Sequence, residues 1–333
     1  MIKAYAVNEP KGNLEPFEYD PGVLEDNEVE IDVKFCGVCH SDLSMIDNEW
    51  GFSQYPLVPG HEVVGTISSV GNNVNNLKVG DYVGLGWHSG YCMSCNSCMS
   101  GDHNLCSSAQ ATIVGHHGGF AEQVRAQAAS VIKLPDNIDK ESAGPLFCGG
   151  ITVFNPLIQF GVKPTDKVGV IGIGGLGHMA VQFLNAWGCE VTAFTSSEKK
   201  KTEALKLGAD RTLDSRDQSA IAEAAGQFDF IISTVNVKLD WNTYISTLKP
   251  KGRLHFVGAT LEPLDIAAFS LIGAQRSVSG SPVGSPENIT KMLDFAVQHN
   301  IQPVIEKYSF DKINDAIEKL RSGKAHYRIV LER

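Results

Sequence analysis

Residues 165–201 constrain this chain more than any other stretch. Lys167–Ile171 is a short apolar run with β-branched residues, the pattern of a buried strand. Gly172-Ile173-Gly174-Gly175-Leu176-Gly177 follows and fits G-x-G-x-x-G. From His178 to Trp187 apolar residues recur at helical spacing, Gly188 marks a stop, and Glu190–Phe194 reads as a second strand. Strand, glycine turn, helix and strand is the setting that a dinucleotide-binding turn requires. Gly172 allows the tight turn, Gly174 lets backbone N–H groups approach a pyrophosphate, and Gly177 lets helix and strand pack closely. Gly175 and Leu176 complete the turn, and the helix presents its positive end to the phosphates.

The residues after the second strand bear on which dinucleotide binds. An NAD site usually carries Asp or Glu there for the ribose hydroxyls. This chain has Thr195-Ser196-Ser197-Glu198-Lys199-Lys200-Lys201 instead. The hydroxyls of Thr195, Ser196 and Ser197 and the charge of Lys200 suit a 2′-phosphate, so NADP(H) is expected. A serine N-cap before a solvated helix face is the structural alternative, and both can hold together.

At 333 residues the chain has room for two domains. A net charge of −10 argues against nucleic acid and anionic membrane surfaces as partners. No apolar run approaches a membrane span, and residues 1–10 lack the apolar core of a signal peptide. The expected location is therefore cytoplasmic. There, eight cysteines read as metal ligands or buried thiols rather than disulfides.

Residues 1–147 read as a mostly β first domain. Val29–Phe35 alternates apolar and polar residues, and Val63–Val70 and Asp81–Trp87 are further strands. From about Pro145 strands alternate with helices. Phe228–Ser233, Arg253–Val257 and Ser277–Ser281 are strands; Glu198–Leu207, Asp217–Ala225 and Asp240–Leu248 are helices. That alternation predicts an α/β, doubly wound parallel sheet over 148–284. Segment 285–333 carries helices Pro286–Asn300 and Asp311–Arg321 and a strand Tyr327–Leu331, expected to return to the first domain.

Cys92, Cys95, Cys98 and Cys106 form C-x₂-C-x₂-C-x₇-C within a polar loop, 90–107. Four thiolates on one short loop make a closed, structural zinc site. An iron–sulfur cluster is the competing chemistry for such spacing. Cys39, His61 and Cys148 are dispersed. Two thiolates and one imidazole can hold a catalytic zinc with a fourth position open. Taken singly each is a weak signal, since a lone cysteine is usually a buried thiol and a lone histidine a satisfied polar residue.

Cys39-His40-Ser41-Asp42, Gly60-His61-Glu62-Val63-Val64-Gly65, the four-cysteine loop and the glycine turn stand in the order found in zinc-dependent medium-chain alcohol dehydrogenases. The chain resembles that family over essentially its whole length. Residues 41–52, Ser142–Leu146, Thr234–Val237 and Tyr327-Arg328 are similar to its cinnamyl alcohol dehydrogenase subgroup, and most to bacterial broad-range NADPH-dependent aldehyde reductases. The resemblance implies a GroES-like β-rich catalytic domain plus a Rossmann sheet. It implies two zinc ions per chain, the catalytic one held by Cys39, His61 and Cys148, with Glu62 able to take the place of water. Asp42 would orient His61, while His40 and Arg328 would lie near the cofactor pyrophosphate. Ser41 would pass a proton to or from the substrate oxygen. Thr234, Gly258 and Ser281 would join the cofactor site.

The implied reaction is reversible reduction of aldehydes to primary alcohols by hydride from NADPH, in a homodimer acting on small molecules. One departure stands out: many relatives carry a histidine at the position of Ser44, which receives the proton passed on from Ser41. Trp50, Trp87 and Leu57 are candidate pocket walls or ordinary core. Cys36 and Cys189 read as buried thiols, and no role follows for His116, His117, His178, His255 or His326. The competing readings are an NAD-dependent alcohol or polyol dehydrogenase and a non-catalytic NADPH-binding protein.

Overall fold

The computed structural model describes residues 1–333. Its contacts divide the chain into two units, Met1–Ile151 with Val283–Arg333, and Thr152–Pro282. The first opens with β1 (Ile2–Ala6), β2 (Glu15–Tyr19), β3 (Glu28–Val38), α1 (His40–Ile46), β4 (Val63–Val70), β5 (Tyr82–Leu85) and β6 (His88–Gly90). It continues with α2 (Asn96–Met99), β7 (Gln110–Ala111), β8 (Gln123–Gln127) and β9 (Val131–Lys133). Helix α3 (Gly149–Gln159) runs across the boundary.

The second unit holds β10 (Lys167–Ile171), α4 (Gly177–Trp187), β11 (Glu190–Phe194), α5 (Glu198–Lys206), β12 (Arg211–Leu213) and α6 (Gln218–Glu223). Then come β13 (Phe228–Ser233), α7 (Trp241–Ser246), β14 (Leu248–Phe256), α8 (Ala268–Ile272) and β15 (Ser277–Gly280). The chain re-enters the first unit with α9 (Pro286–Gln298), β16 (Ile305–Ser309), α10 (Ile313–Arg321) and β17 (Arg328–Glu332).

Alternation fixes the register of β3. Val29, Ile31 and Val33 are fully buried, while Glu30, Asp32 and Lys34 are half-buried on the other face. A shift by one residue would bury the charges, so the pairing with β4 is determined by burial. Beyond Phe35 the alternation stops and Cys36, Gly37 and Val38 are all buried. That end is covered by β17, which runs antiparallel to β3 and pairs Ile329 with Val38. The sheet order is β16-β17-β3-β4-β5-β9, with β8 also on β3.

The second unit is one parallel sheet in the order β12-β11-β10-β13-β14-β15. Central strand β10 is apolar on both faces, as helices on either side demand. Helix α4 ends where Gly188 takes φ 102°, a left-handed cap that suits glycine. Trp241, Phe194 and Phe228 fill the core over β11 and β13. Burial of one aromatic of this size contributes about 2–3 kcal/mol. The sequence places its fourth strand of this unit at Arg253–Val257, whereas β14 starts at Leu248, and β12 is a strand that the sequence reading does not contain. Pro250, Lys251 and Gly252 fall between the helix expected to end at Leu248 and the strand expected from Arg253. The chain instead absorbs them as an irregularity in the pairing with β13, with Lys251 at φ 67°.

Candidate active site

Strand β3 delivers Cys39, whose extended backbone (φ −107°, ψ 157°) caps the start of α1. Asp42, in the first turn of α1, points inward and is fully buried. Its Oδ2 accepts the Cys39 N–H at 2.9 Å, and its Oδ1 accepts the Gly60 N–H at 2.9 Å. The same Oδ1 lies 2.8 Å from His61 Nδ1. A carboxylate only accepts, so the imidazole proton sits on Nδ1 and the Nε2 lone pair faces the sulfurs. His61 Nε2 is 3.3 Å from Cys148 Sγ, and Cys148 Sγ is 3.8 Å from Cys39 Sγ. Ligand atoms of Cys39, His61, Glu62 and Cys148 all lie within 4.8 Å of one another.

This donor set fits zinc. Tetrahedral bonds of about 2.3 Å to sulfur place two sulfurs about 3.8 Å apart. The hydrogen bond between the two buried sulfurs holds the Cys39 thiol well below its ordinary pKa and pushes Cys148 well above. A divalent ion would replace the proton of that bond and leave both sulfurs as thiolates. Glu62 adds a carboxylate whose Oε1 accepts from Arg328 Nη2 and whose Oε2 is buried without a partner. Burial raises Glu62 to about 7, against the opposing pull of Arg328. Gly37 lies directly beneath, and a Cβ there would collide with the Glu62 carboxylate. Arg328 is buried at the start of β17, next to the strand end that leads to Cys39, and its Nε has no partner.

The second cluster is local. Cys92, Cys95, Cys98 and Cys106 also place their sulfurs within 4.8 Å of one another. Cys106 and Cys98 lie 3.5 and 3.9 Å from Cys92. Cys95 caps the start of α2, which turns Cys98 inward, where it packs with Cys106 against Tyr91. Four sulfurs close this tetrahedron and leave no position for a substrate.

Around the first cluster, the Trp87 ring stands edge-on to His61 at 5.0 Å, and Trp50 meets Trp87 at 6.0 Å. Leu57 is instead part of the buried core. On α1, Ser41 is half-buried and His40 is exposed.

In the second unit Gly172 has φ 86°, and Gly177 opens α4 against the Gly172 carbonyl, where any Cβ would collide. The Thr234 hydroxyl lies 3.0 and 2.8 Å from the Ile171 and Gly172 carbonyls and so clasps the turn from β13. Gly258 passes so close to Val235 that a Cβ would meet its carbonyl. Ser196 and Lys200 are exposed, and Ser197 caps α5 by accepting the Lys200 N–H. Lys201 is engaged by Glu198 and Asp214. This turn, open to a pyrophosphate and followed by hydroxyls rather than a carboxylate, fits NADP(H).

Residues 25–136 match the family model for the alcohol dehydrogenase GroES-like domain, and residues 175–298 match that for zinc-binding dehydrogenase. An aldehyde reductase from Synechocystis sp. is 69% identical over 331 residues, covering 99% of this chain and 98% of that protein. The chain belongs to the zinc-binding alcohol dehydrogenase family. A cinnamyl alcohol dehydrogenase from Sorghum bicolor superposes with a TM-score of 0.96 at 38% identity, over 99% of this chain and 97% of that one. The Helicobacter pylori cinnamyl alcohol dehydrogenase solved with NADP(H) gives 0.91 at 32% identity, with the same coverage of both chains. As in this family, the fold pairs a GroES-like unit with a Rossmann sheet.

For an alcohol dehydrogenase three contacts matter that the sequence does not reveal. The Ser44 hydroxyl donates to Glu49 Oε2 at 2.7 Å, so the position that holds a histidine in many relatives is a hydroxyl committed to a carboxylate. His255 sits 2.9 Å from Ser279 Oγ and 3.0 Å from Ser281 Oγ, tying both hydroxyls to β14. Asp214 faces both Lys201 and Arg216. Ser44 meets a residue beyond the end of its helix, His255 meets the neighbouring strand, and Asp214 joins a cation of its own turn to one on α5. Periodicity carries no record of such pairs.

Proposed function

We propose that this zinc alcohol dehydrogenase works as an NADPH-dependent aldehyde reductase, converting aldehydes reversibly to primary alcohols. The observation that carries the reading is the buried Cys39–His61–Cys148 set, with its imidazole oriented by Asp42 and a carboxylate waiting beside it. When bound, zinc supplies Lewis-acid polarisation of a carbonyl, and NADPH supplies the hydride. Cys39, His61 and Cys148 would hold the metal, and Asp42 keeps the His61 lone pair aimed at it. Arg328 holds Glu62 by one oxygen and leaves the other free to approach the metal.

Ser41 gives a proton to the substrate oxygen in reduction and takes it back in oxidation. Trp87 and Trp50 form an apolar wall that excludes water and accepts planar or aliphatic aldehydes. In the cofactor unit the Gly172–Gly177 turn and the N-terminus of α4 receive the pyrophosphate, with Thr234 fixing the turn. Gly258 and Ser281 border the cofactor, and His40 and Arg328 serve its phosphates. Ser196, Ser197 and Lys200 take the 2′-phosphate. In this reading residues 1–147 bear the catalysis, 148–284 bind the cofactor, and 285–333 complete the catalytic domain.

The working form is a homodimer. Strand β15 is the outermost of its sheet, and Phe269 and Ile272 on α8, the helix that precedes it in the chain, are 85% and 69% exposed. The enzyme acts in the cytoplasm: its cysteines are free thiols arranged for metal, and no helix is long and apolar enough to cross a membrane. Cell fractionation with the enzyme in an oxidising compartment would contradict that placement.

Steady-state kinetics with aliphatic, aromatic and cinnamyl aldehydes test the activity. We expect kcat/KM with NADPH to exceed that with NADH by at least about tenfold. Equal or greater efficiency with NADH would reject the cofactor preference, and no turnover of any aldehyde would reject the activity.

A further inference from the structure

Strands β11 and β12 are parallel neighbours that pair Phe194 with Leu213, so their following loops leave the same end of the sheet. Two backbone bonds keep these loops together. The Thr195 N–H donates to Leu213 O at 3.0 Å, and the Ser215 N–H donates to Thr195 O at 3.4 Å. The loop after β11 carries the exposed Ser196 and leads into α5. The loop after β12 carries Asp214 and Arg216. Asp214 stands between two cations. Lys201 Nζ, from α5, lies 3.4 Å from its Oδ2, while Arg216 Nε and Nη2 each lie 3.4 Å from one of its oxygens.

The two cations are held differently. Lys201 is 21% exposed and also pairs with Glu198. Arg216 is 71% exposed, and 3.4 Å is long for a charged hydrogen bond, so its fork is loosely engaged and free to turn. Asp214 is anchored without that fork, because its Oδ1 accepts the Arg216 backbone N–H at 2.9 Å. The Arg216 backbone and side chain hold Asp214 down at about 2, so it stays ionised and keeps both cations beside the Ser196 turn. A phosphomonoester carries about −1.5 to −2 charge and three acceptor oxygens, against one charge and two oxygens on a carboxylate. Guanidinium matches such a group by two parallel N–H bonds.

We propose that Arg216 is a cofactor-selecting residue: its guanidinium leaves Asp214 for the 2′-phosphate of NADP(H), and Asp214 is the positioning residue that holds Arg216 and Lys201 at that edge of the sheet. The inference rests on NADP(H) being the cofactor. It extends the 2′-phosphate site beyond the serine–lysine turn to the neighbouring strand.

Equilibrium binding of 2′,5′-ADP and 5′-AMP to the full-length, zinc-loaded enzyme tests it by calorimetry, independently of turnover. Wild type should bind 2′,5′-ADP at least about tenfold more tightly than 5′-AMP. Arg216→Ala should weaken 2′,5′-ADP about tenfold, leave 5′-AMP within about twofold, and reduce the salt dependence of 2′,5′-ADP binding. Arg216→Lys should recover part of the loss. Unchanged 5′-AMP binding also shows that the variant is folded. If wild type prefers 2′,5′-ADP and Arg216→Ala keeps that preference, the role of Arg216 is refuted while the NADPH reading stands. If wild type binds both nucleotides equally, both fall together.

Discussion

Asp42 decides which nitrogen of His61 faces the sulfurs. Three groups converge on its two oxygens: the Cys39 N–H, the Gly60 N–H and His61 Nδ1. Asp42→Asn would turn an amide N–H₂ toward either the Cys39 N–H or the other two donors, and would remove the charge that makes the imidazole a better ligand. Affinity for the catalytic zinc should fall by about 10–100-fold, while the four-cysteine site keeps its metal. Chelator competition followed by metal analysis checks this; two metals held as tightly as in wild type would contradict it.

Ser41 and Ser44 divide a different task. Ser44 is nearly buried, with its hydroxyl given to Glu49, and serine does not titrate near neutral pH. Protons passing Ser41 therefore reach solvent without a histidine. Ser41→Ala should slow both directions, by about 100-fold wherever proton transfer limits the rate. Ser44→His should quicken alcohol oxidation near pH 7 and leave aldehyde reduction nearly unchanged. Paired pH–rate profiles with a deuterated alcohol would separate the hydride and proton steps. An Ser41→Ala enzyme with wild-type rates in both directions would end this assignment.

At the scale of elements, what the sequence displays depends on how local the determinant is. The strand–turn–helix–strand unit around Gly172–Gly177 is legible because one continuous segment contains all its constraints: β-branched residues for β10, glycines for the turn, helical spacing for α4. The four-cysteine loop is legible for the same reason. Cys39 and Cys148, 109 positions apart, meet only because β3, the segment before α3 and the buried Asp42 are folded together. No spacing rule connects those residues, and only the family resemblance suggests that they meet. The Arg328–Glu62 pair is more distant still, and depends on β17 closing over β3. The start of β14 is missed for the opposite reason: Pro250 and Gly252 are strong local signals, overridden by pairing with β13.

Strand β15 and helix α8 make a prediction at this scale. An outermost strand, preceded in the chain by a helix with exposed Phe269 and Ile272, suits a second copy of the same edge, extending the sheet through a two-fold axis. Phe269→Glu should shift sedimentation at micromolar concentration from twice the chain mass toward the chain mass. Wild type already sedimenting as single chains would contradict the dimer.

At the scale of the whole molecule, one chain combines a Rossmann sheet shaped for a dinucleotide with a unit carrying two unlike metal sites. The closed site ties down a loop. The other contains a carboxylate oxygen with no partner and a histidine whose orientation is fixed from behind. Only the second leaves an exchangeable position, so it should lose its metal first. The decisive measurement follows NADPH-dependent aldehyde reduction against zinc content as a mild chelator strips the active enzyme, with zinc then restored. We predict two zinc ions per chain at the start, loss of activity in step with the first ion removed, and recovery when zinc is returned. Activity that survives removal of that ion, or active protein holding a single zinc or iron per chain, would contradict the account.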